Sequence, residues 1–184
     1  MKKERNVIII SGRTGTGKSQ LARRLYAAWD RRVIYDPQKE HSVAGLSKFI
    51  HAFRGFHVAI SDAEYAAEIA MMAGECVLVL DDAYSVVRHP LGEQLKAACN
   101  TGRHRAVSMI IVTQRVPDIS PDLRAQVDAW IAFRSVLKSD NDMLERDWGL
   151  SDLDDLKSHE YACQVYTDRP LRVANMLKAR KFAA

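Results

Sequence analysis

One eight-residue stretch, Gly12-Arg13-Thr14-Gly15-Thr16-Gly17-Lys18-Ser19, constrains this chain more than any other. It fits the pattern G-x-x-x-x-G-K-[ST] at every position. Glycines let the backbone curl until successive N–H groups converge on one phosphate, the lysine reaches the β and γ oxygens, and the serine hydroxyl is a ligand for Mg²⁺. Such a loop works between a strand and a helix, because the helix N-terminus adds the positive end of its dipole. Both neighbours are encoded: the aliphatic run Val7 to Ile10 precedes the glycines, and a helical pattern, about Lys18 to Trp29, follows them. All eight residues are expected to cradle a nucleoside triphosphate, ATP being the expected one.

The rest of the chain alternates in the same way. Short β-branched runs occur at Val7 to Ile10, Arg32 to Tyr35, Phe56 to Ile60, Val77 to Leu80, Val107 to Val112 and Ala129 to Phe133, with helical patterns between most of them. Runs such as Val77-Leu78-Val79-Leu80 are apolar at every position, which a strand needs when helices cover both faces of a parallel sheet. The expected class is α/β, a P-loop nucleotide-binding fold with a mainly parallel sheet flanked by helices. Ser61 with Glu64 has capping-box spacing before Ala66 to Met72, and Ser151 with Asp154 has a weaker version before Leu156. Two more strands, Ala162 to Tyr166 and Leu171 to Ala174, are expected to form a C-terminal β-hairpin. With 184 residues, 47% of them hydrophobic, and no repeat or linker, residues 1–184 are expected to form a single domain. The longest aliphatic runs are four residues, against the roughly 20 apolar residues of a membrane span, so no transmembrane segment and a cytoplasmic location are expected. Cys76, Cys99 and Cys163 are too widely spaced for a zinc site or a disulfide framework.

A phosphate cradle needs carboxylates from another strand. Val77-Leu78-Val79-Leu80-Asp81-Asp82 delivers two to the carboxyl end of a core strand, the end at which ligands bind in open α/β sheets. Asp81 is the candidate to hold Mg²⁺ with Ser19, directly or through a water, and Asp82 the candidate to orient and deprotonate an attacking water. The plainer alternative for Asp82 is a helix cap or loop carboxylate. The run Met109-Ile110-Ile111-Val112 ends in Thr113-Gln114, where Gln114 could hydrogen-bond the γ-phosphate or the water.

These residues carry a resemblance. Gly102-Arg103-His104-Arg105-Ala106-Val107, then Thr113-Gln114-Arg115, then Ile131-Ala132-Phe133-Arg134, resemble the corresponding block of the FtsK/HerA superfamily of DNA-pumping ATPases, and Tyr35-Asp36-Pro37-Gln38-Lys39-Glu40 looks like its aspartate-proline turn. With the two nucleotide motifs the resemblance spans roughly Asn6 to Arg134. It implies the RecA-like, additional-strand arrangement and a homo-oligomeric ring of six or five subunits, in which an arginine of one subunit completes its neighbour's ATP site. Family placement points to Arg103 or Arg105, with Arg103 preferred because it directly follows Gly102; the alternative for either is a surface arginine closing a helix C-terminus. The water-activating residue of the superfamily is usually Glu, from which Asp82 departs.

A bare motor domain resembles the small genome-packaging ATPases of tailless icosahedral viruses with an internal membrane. The resemblance implies a motor on double-stranded DNA that grips phosphates without reading bases, and capsid or portal vertex proteins as further partners. Arg88 and the basic tail Lys178 to Lys181 are the candidate grips. The net charge of +4 permits such a polyanionic partner without demanding it. Two rivals share the phosphate loop: a filamentous-phage assembly ATPase of the zonula-occludens-toxin type, and a small P-loop kinase. A kinase of this size usually carries an arginine-rich lid, whereas Asp140 to Asp155 is acidic and reads as a solvated helical pair. Trp29, Trp130, Trp148 and Met71-Met72 read as core or interface residues, and the six His show no metal-ligand spacing.

Overall fold

The computed structural model describes residues 5–41, 55–135, 137–150, 153, 156 and 163–167. The aliphatic runs form the strands β1 (Val7–Ser11), β2 (Arg31–Tyr35), β3 (Phe56–Ile60), β4 (Val77–Leu80), β5 (Ser108–Thr113) and β6 (Ala129–Phe133), joined by β7 (Cys163–Thr167). They make one seven-stranded sheet in the order β3-β2-β4-β5-β1-β6-β7. The first six run parallel, and β7 closes the edge antiparallel to β6. β5 stands between the strand that leads into the glycine loop and the strand that leads into Asp81, which is the additional-strand arrangement.

Helices cover both faces, which is why the central strands have no polar side. In β1, Ile8 and Ile10 pack with Leu21, Ala22 and Leu25 of α1 (Lys18–Tyr26), while Val7 and Ile9 belong to the core on the opposite face. That second face is covered by α2 (Ala63–Ala73), α3 (Glu93–Thr101), the short α4 (Pro121–Arg124) and α5 (Lys138–Trp148). Each fully buried Ile or Leu contributes about 1.5–3 kcal/mol relative to exposure. Trp130 is fully buried, donates its indole N–H to Ser11 Oγ at 2.8 Å, and packs against Trp148 at 4.3 Å between ring centroids. Cys76 and Cys99 are buried and free, and burial pushes the Cys76 thiol up to about 11, so it stays a neutral hydrophobe.

Several local expectations are corrected. The first helix ends at Tyr26 rather than Trp29, because Ala28 and Trp29 donate to carbonyls three residues back and tighten the chain into the turn before β2. Asp62, not Ser61, caps α2, accepting from the Tyr65 N–H at 3.0 Å. Glu64 is turned away to another helix, where its carboxylate accepts the N–H groups of Gln94 and Leu95 at the start of α3. Met72 is 71% exposed, since it lies on the solvent side of the last turn of α2. Asp140 is not on a solvated face: it is 1% exposed and lies 3.4 Å from Arg115 Nε. Of the expected hairpin, the first strand is β7, whose partner is β6; Leu171 to Ala174, Ser151 and Asp154 lie outside the described residues, as does the basic tail. No helix among the described residues is long and apolar enough to cross a membrane.

Candidate functional site

Strand order assembles the site. β2, β4, β5 and β1 are consecutive neighbours and parallel, so the segments leaving their carboxyl ends emerge side by side. These segments are the loop from Asp36, the pair Asp81-Asp82, the pair Thr113-Gln114 and the glycine loop. They line a cleft of about 420 Å³. The structure thus brings together Lys18, Ser19, Asp81, Asp82 and Gln114, residues from distant parts of the sequence.

The glycine loop stands on the end of β6. Gly12 has φ +141°, and a Cβ there would lie 2.7 Å from Phe133 Cβ; Arg13 N–H donates to the Arg134 carbonyl at 2.9 Å. Lys18 is 8% exposed and its ammonium donates to the Arg13 carbonyl at 2.8 Å, spanning the curl of the loop. Burial pulls this ammonium down to about 8, against the opposing pull of Asp81 and Asp82. An anion entering the loop would relieve that cost.

Opposite the loop, Ser19 Oγ donates to Asp81 Oδ1 at 3.2 Å, and the Asp82 N–H donates to the same oxygen at 3.0 Å. The other oxygen, Oδ2, is 2.5 Å from His41 Nε2, and His41 Nδ1 is 3.0 Å from the Tyr26 hydroxyl. Burial pushes the Asp81 carboxyl up, but the His41 contact, Ser19 and the Asp82 N–H outweigh it and hold the group below its ordinary value. Asp82 adopts φ +49°, a left-handed conformation costly for a side chain with a Cβ. It precedes the 3₁₀ turn Ala83–Ser85 yet makes no side-chain capping bond. Its carboxylate instead accepts from Gln38 Nε2 at 3.3 Å and lies 3.5 Å from Gln114 Nε2.

Arg103 and Arg105 are not in this cleft. They precede β5, whereas Gln114 follows it, and a strand of that length separates the two ends by about 17–20 Å. Arg105 closes the C-terminus of α2, donating to the Met71 and Met72 carbonyls at 3.0 and 2.9 Å. Arg103 is exposed, its side-chain contact being His104 at 3.5 Å. Arg88 stacks 3.9 Å from the centroid of the Tyr84 ring and lies 3.7 Å from Asp118. Sequence reasoning missed His41, Tyr26 and Gln38. A visible signal was the position of Gln38 and His41 just after Asp36, at the end of a core strand. No cluster of three or more His, Cys, Asp or Glu able to hold a metal occurs among the described residues.

Residues 8–135 match the model of the ATPase family associated with various cellular activities (AAA). Among curated proteins the chain is similar to the uncharacterized protein 015R of Frog virus 3 (isolate Goorha), 25% identical over 139 residues, covering 69% of this chain; the chain spans 43% of the length of that relative. Among solved structures it is similar to the genome-packaging NTPase B204 from Sulfolobus turreted icosahedral virus 2 in complex with AMP, with a TM-score of 0.66, 21% identity, and 91% of this chain and 94% of that one covered. It is also similar to the N-terminal domain of zonular occludens toxin from Neisseria meningitidis, with a TM-score of 0.50, 18% identity, and 72% and 78% covered. At these identities the two structural likenesses establish the fold.

Proposed function

The chain belongs to the ATPase family associated with various cellular activities, and from that premise we propose that it is an ATP-hydrolysing motor that translocates double-stranded DNA, in the packaging of a viral genome into a preformed capsid. The observation that carries the hydrolytic reading is the convergence of Asp82 and Gln114 across the cleft from the phosphate loop. The fold of the packaging NTPase B204 supports the choice of packaging among ATP-driven motors.

In this reading residues 12–19 hold the phosphates and the Lys18 ammonium sits against the β and γ oxygens, exchanging the Arg13 carbonyl for an anion. Ser19 Oγ and Asp81 Oδ1 face each other as two hard oxygen donors, a pair that suits Mg²⁺. Bound there with the nucleotide, the ion would neutralise charge on the phosphate oxygens. Asp82 accepts the proton of the attacking water, and Gln114 donates to the water or the γ-phosphate and fixes its line of approach. Arg103 acts on a second copy: it lies about a strand's length from its own cleft, and in this reading it stabilises a neighbour's transferring phosphoryl group in a ring. Arg105, already bound to α2, holds the segment that presents Arg103. Residues 1–184 act as one ATPase domain, in the cytoplasm, with capsid or portal vertex proteins as partners. Arg88, stacked on Tyr84, is a DNA grip that contacts phosphates rather than base edges.

Phosphate release with and without duplex DNA, at rising salt, tests the proposal. The expected result is a rate raised by DNA of any sequence, a stimulation that falls as salt rises, and no activity in Lys18→Ala. Turnover indifferent to DNA at every salt concentration would overturn the motor reading and leave a hydrolase or kinase.

A further inference from the structure

The pairing of β2 with β4 places Tyr35 beside Leu80, so the chain leaving β2 runs alongside Asp81. Asp36, 4% exposed, closes this loop on itself, accepting the N–H groups of Glu40 at 2.9 Å and His41 at 2.7 Å. The closure turns residue 41 back under the cleft, where its side chain is fully buried. The ring is held at both nitrogens. Nε2 meets Asp81 Oδ2 and, because a carboxylate only accepts, carries the hydrogen; Nδ1 meets the hydroxyl of Tyr26, the last residue of the helix that begins at the phosphate loop. The two oxygens of Asp81 thereby become inequivalent, with Oδ2 given to His41 and Oδ1 to Ser19 and the Asp82 N–H. The loop closure itself uses the backbone of residue 41 and the side chain of Asp36, so the imidazole is not needed for it.

We propose that His41 is a positioning residue, which locks Asp81 with Oδ1 toward Ser19 and the phosphate cleft, while Tyr26 locks the orientation of the His41 ring. The inference rests on the reading of the cleft as a Mg²⁺–nucleotide site and assigns residues that set how well it takes the ion. Hydrogen-bond partners of this kind behind a metal-binding group are worth about 10- to 100-fold in metal affinity. Nothing in the role requires His41 to touch nucleotide.

The test is the affinity of a fluorescent ATP analogue measured in EDTA and across a Mg²⁺ titration, a binding readout independent of turnover. Three variants are compared with wild type: His41→Leu, which keeps bulk and loses the donor; His41→Gln, whose amide N–H can replace Nε2–H; and Tyr26→Phe, which loses one hydroxyl. Folded His41→Leu is expected to bind in EDTA within about twofold of wild type and to need about tenfold more Mg²⁺ for half-maximal tightening. His41→Gln should recover most of that difference, and Tyr26→Phe should fall between. A wild-type Mg²⁺ titration in folded His41→Leu, or an equal loss of affinity in EDTA, would overturn the inference. If His41→Leu does not fold, Tyr26→Phe decides it by the same criterion. Lys18→Ala separates the two readings: wild-type protein that binds no better than Lys18→Ala overturns the nucleotide site and this inference with it, whereas normal wild-type binding with an unmoved His41 series overturns this inference alone.

Discussion

Replacing Gly12 by alanine tests how the phosphate loop is seated. At φ +141° an L side chain is strained by about 1–3 kcal/mol. The new Cβ would also lie 2.7 Å from Phe133 Cβ and 3.1 Å from the Phe133 carbonyl carbon and oxygen, atoms of a strand end that cannot swing aside. Forcing such a shift costs about 1–3 kcal/mol more. The sum is about 2–6 kcal/mol, a fall in Tm of at least about 4 °C for a chain of this length. Gly15 supplies the control, since it too has positive φ, +82°, but nothing lies within 4 Å of its Cβ direction. Gly15→Ala should therefore lose only the backbone part, about 1–2 kcal/mol. Urea unfolding followed by tryptophan fluorescence, without nucleotide, measures both. Gly12→Ala no less stable than Gly15→Ala would refute the close seating of the loop on β6.

The depressed Lys18 ammonium implies proton uptake when phosphates bind. Between about pH 8 and the ordinary lysine value of 10.5 the free chain has partly lost this proton and the complex regains it, so binding enthalpy at pH 9 should vary with the ionisation enthalpy of the buffer. Over the same window the unfolded chain holds more protons at this position, so its contribution makes the free protein more stable as pH rises; a urea series across that range shows the sign. Arg115→Ala leaves the buried Asp140 carboxylate without its cation and should cost about 3 kcal/mol in urea unfolding, whereas replacing both by leucine should recover much of it. In the proposed ring, mixing Lys18→Ala with the double variant Arg103→Ala/Arg105→Ala, each inactive alone, should restore ATP turnover, because mixed neighbours would join an intact phosphate loop to an intact arginine. No recovery on mixing would argue against completion in trans.

The parts legible in the sequence were those whose chemistry is local. β3, a half-buried edge strand, appears at its run Phe56 to Ile60, and β4 and β6 appear where the aliphatic runs place them, since strands covered on both faces have no polar positions to blur them. The glycine loop and Asp81-Asp82 were legible because each sits directly after such a strand. Asp140 was misread because a sequence gives charge but not the partner across the fold, here Arg115 at the far end of β5. Ser61 was misread because two adjacent residues could cap α2 and the geometry chose Asp62. His41 was invisible as part of the site for a deeper reason: its contact with Asp81 exists only because β2 and β4 are neighbours, and strand order is not written in the spacing of either motif. The distance of Arg103 from the cleft follows likewise from strand direction, which puts Arg103 at the amino end of β5 and the cleft at its carboxyl end.

The most direct test of the account is ATP turnover per chain against protein concentration, at low salt with duplex DNA present. A ring whose sites are completed by a neighbour's arginine predicts turnover per chain that climbs steeply with concentration and is lost in Lys18→Ala and in Arg103→Ala. Turnover per chain that stays constant from the most dilute sample upward, and survives Arg103→Ala, would contradict it.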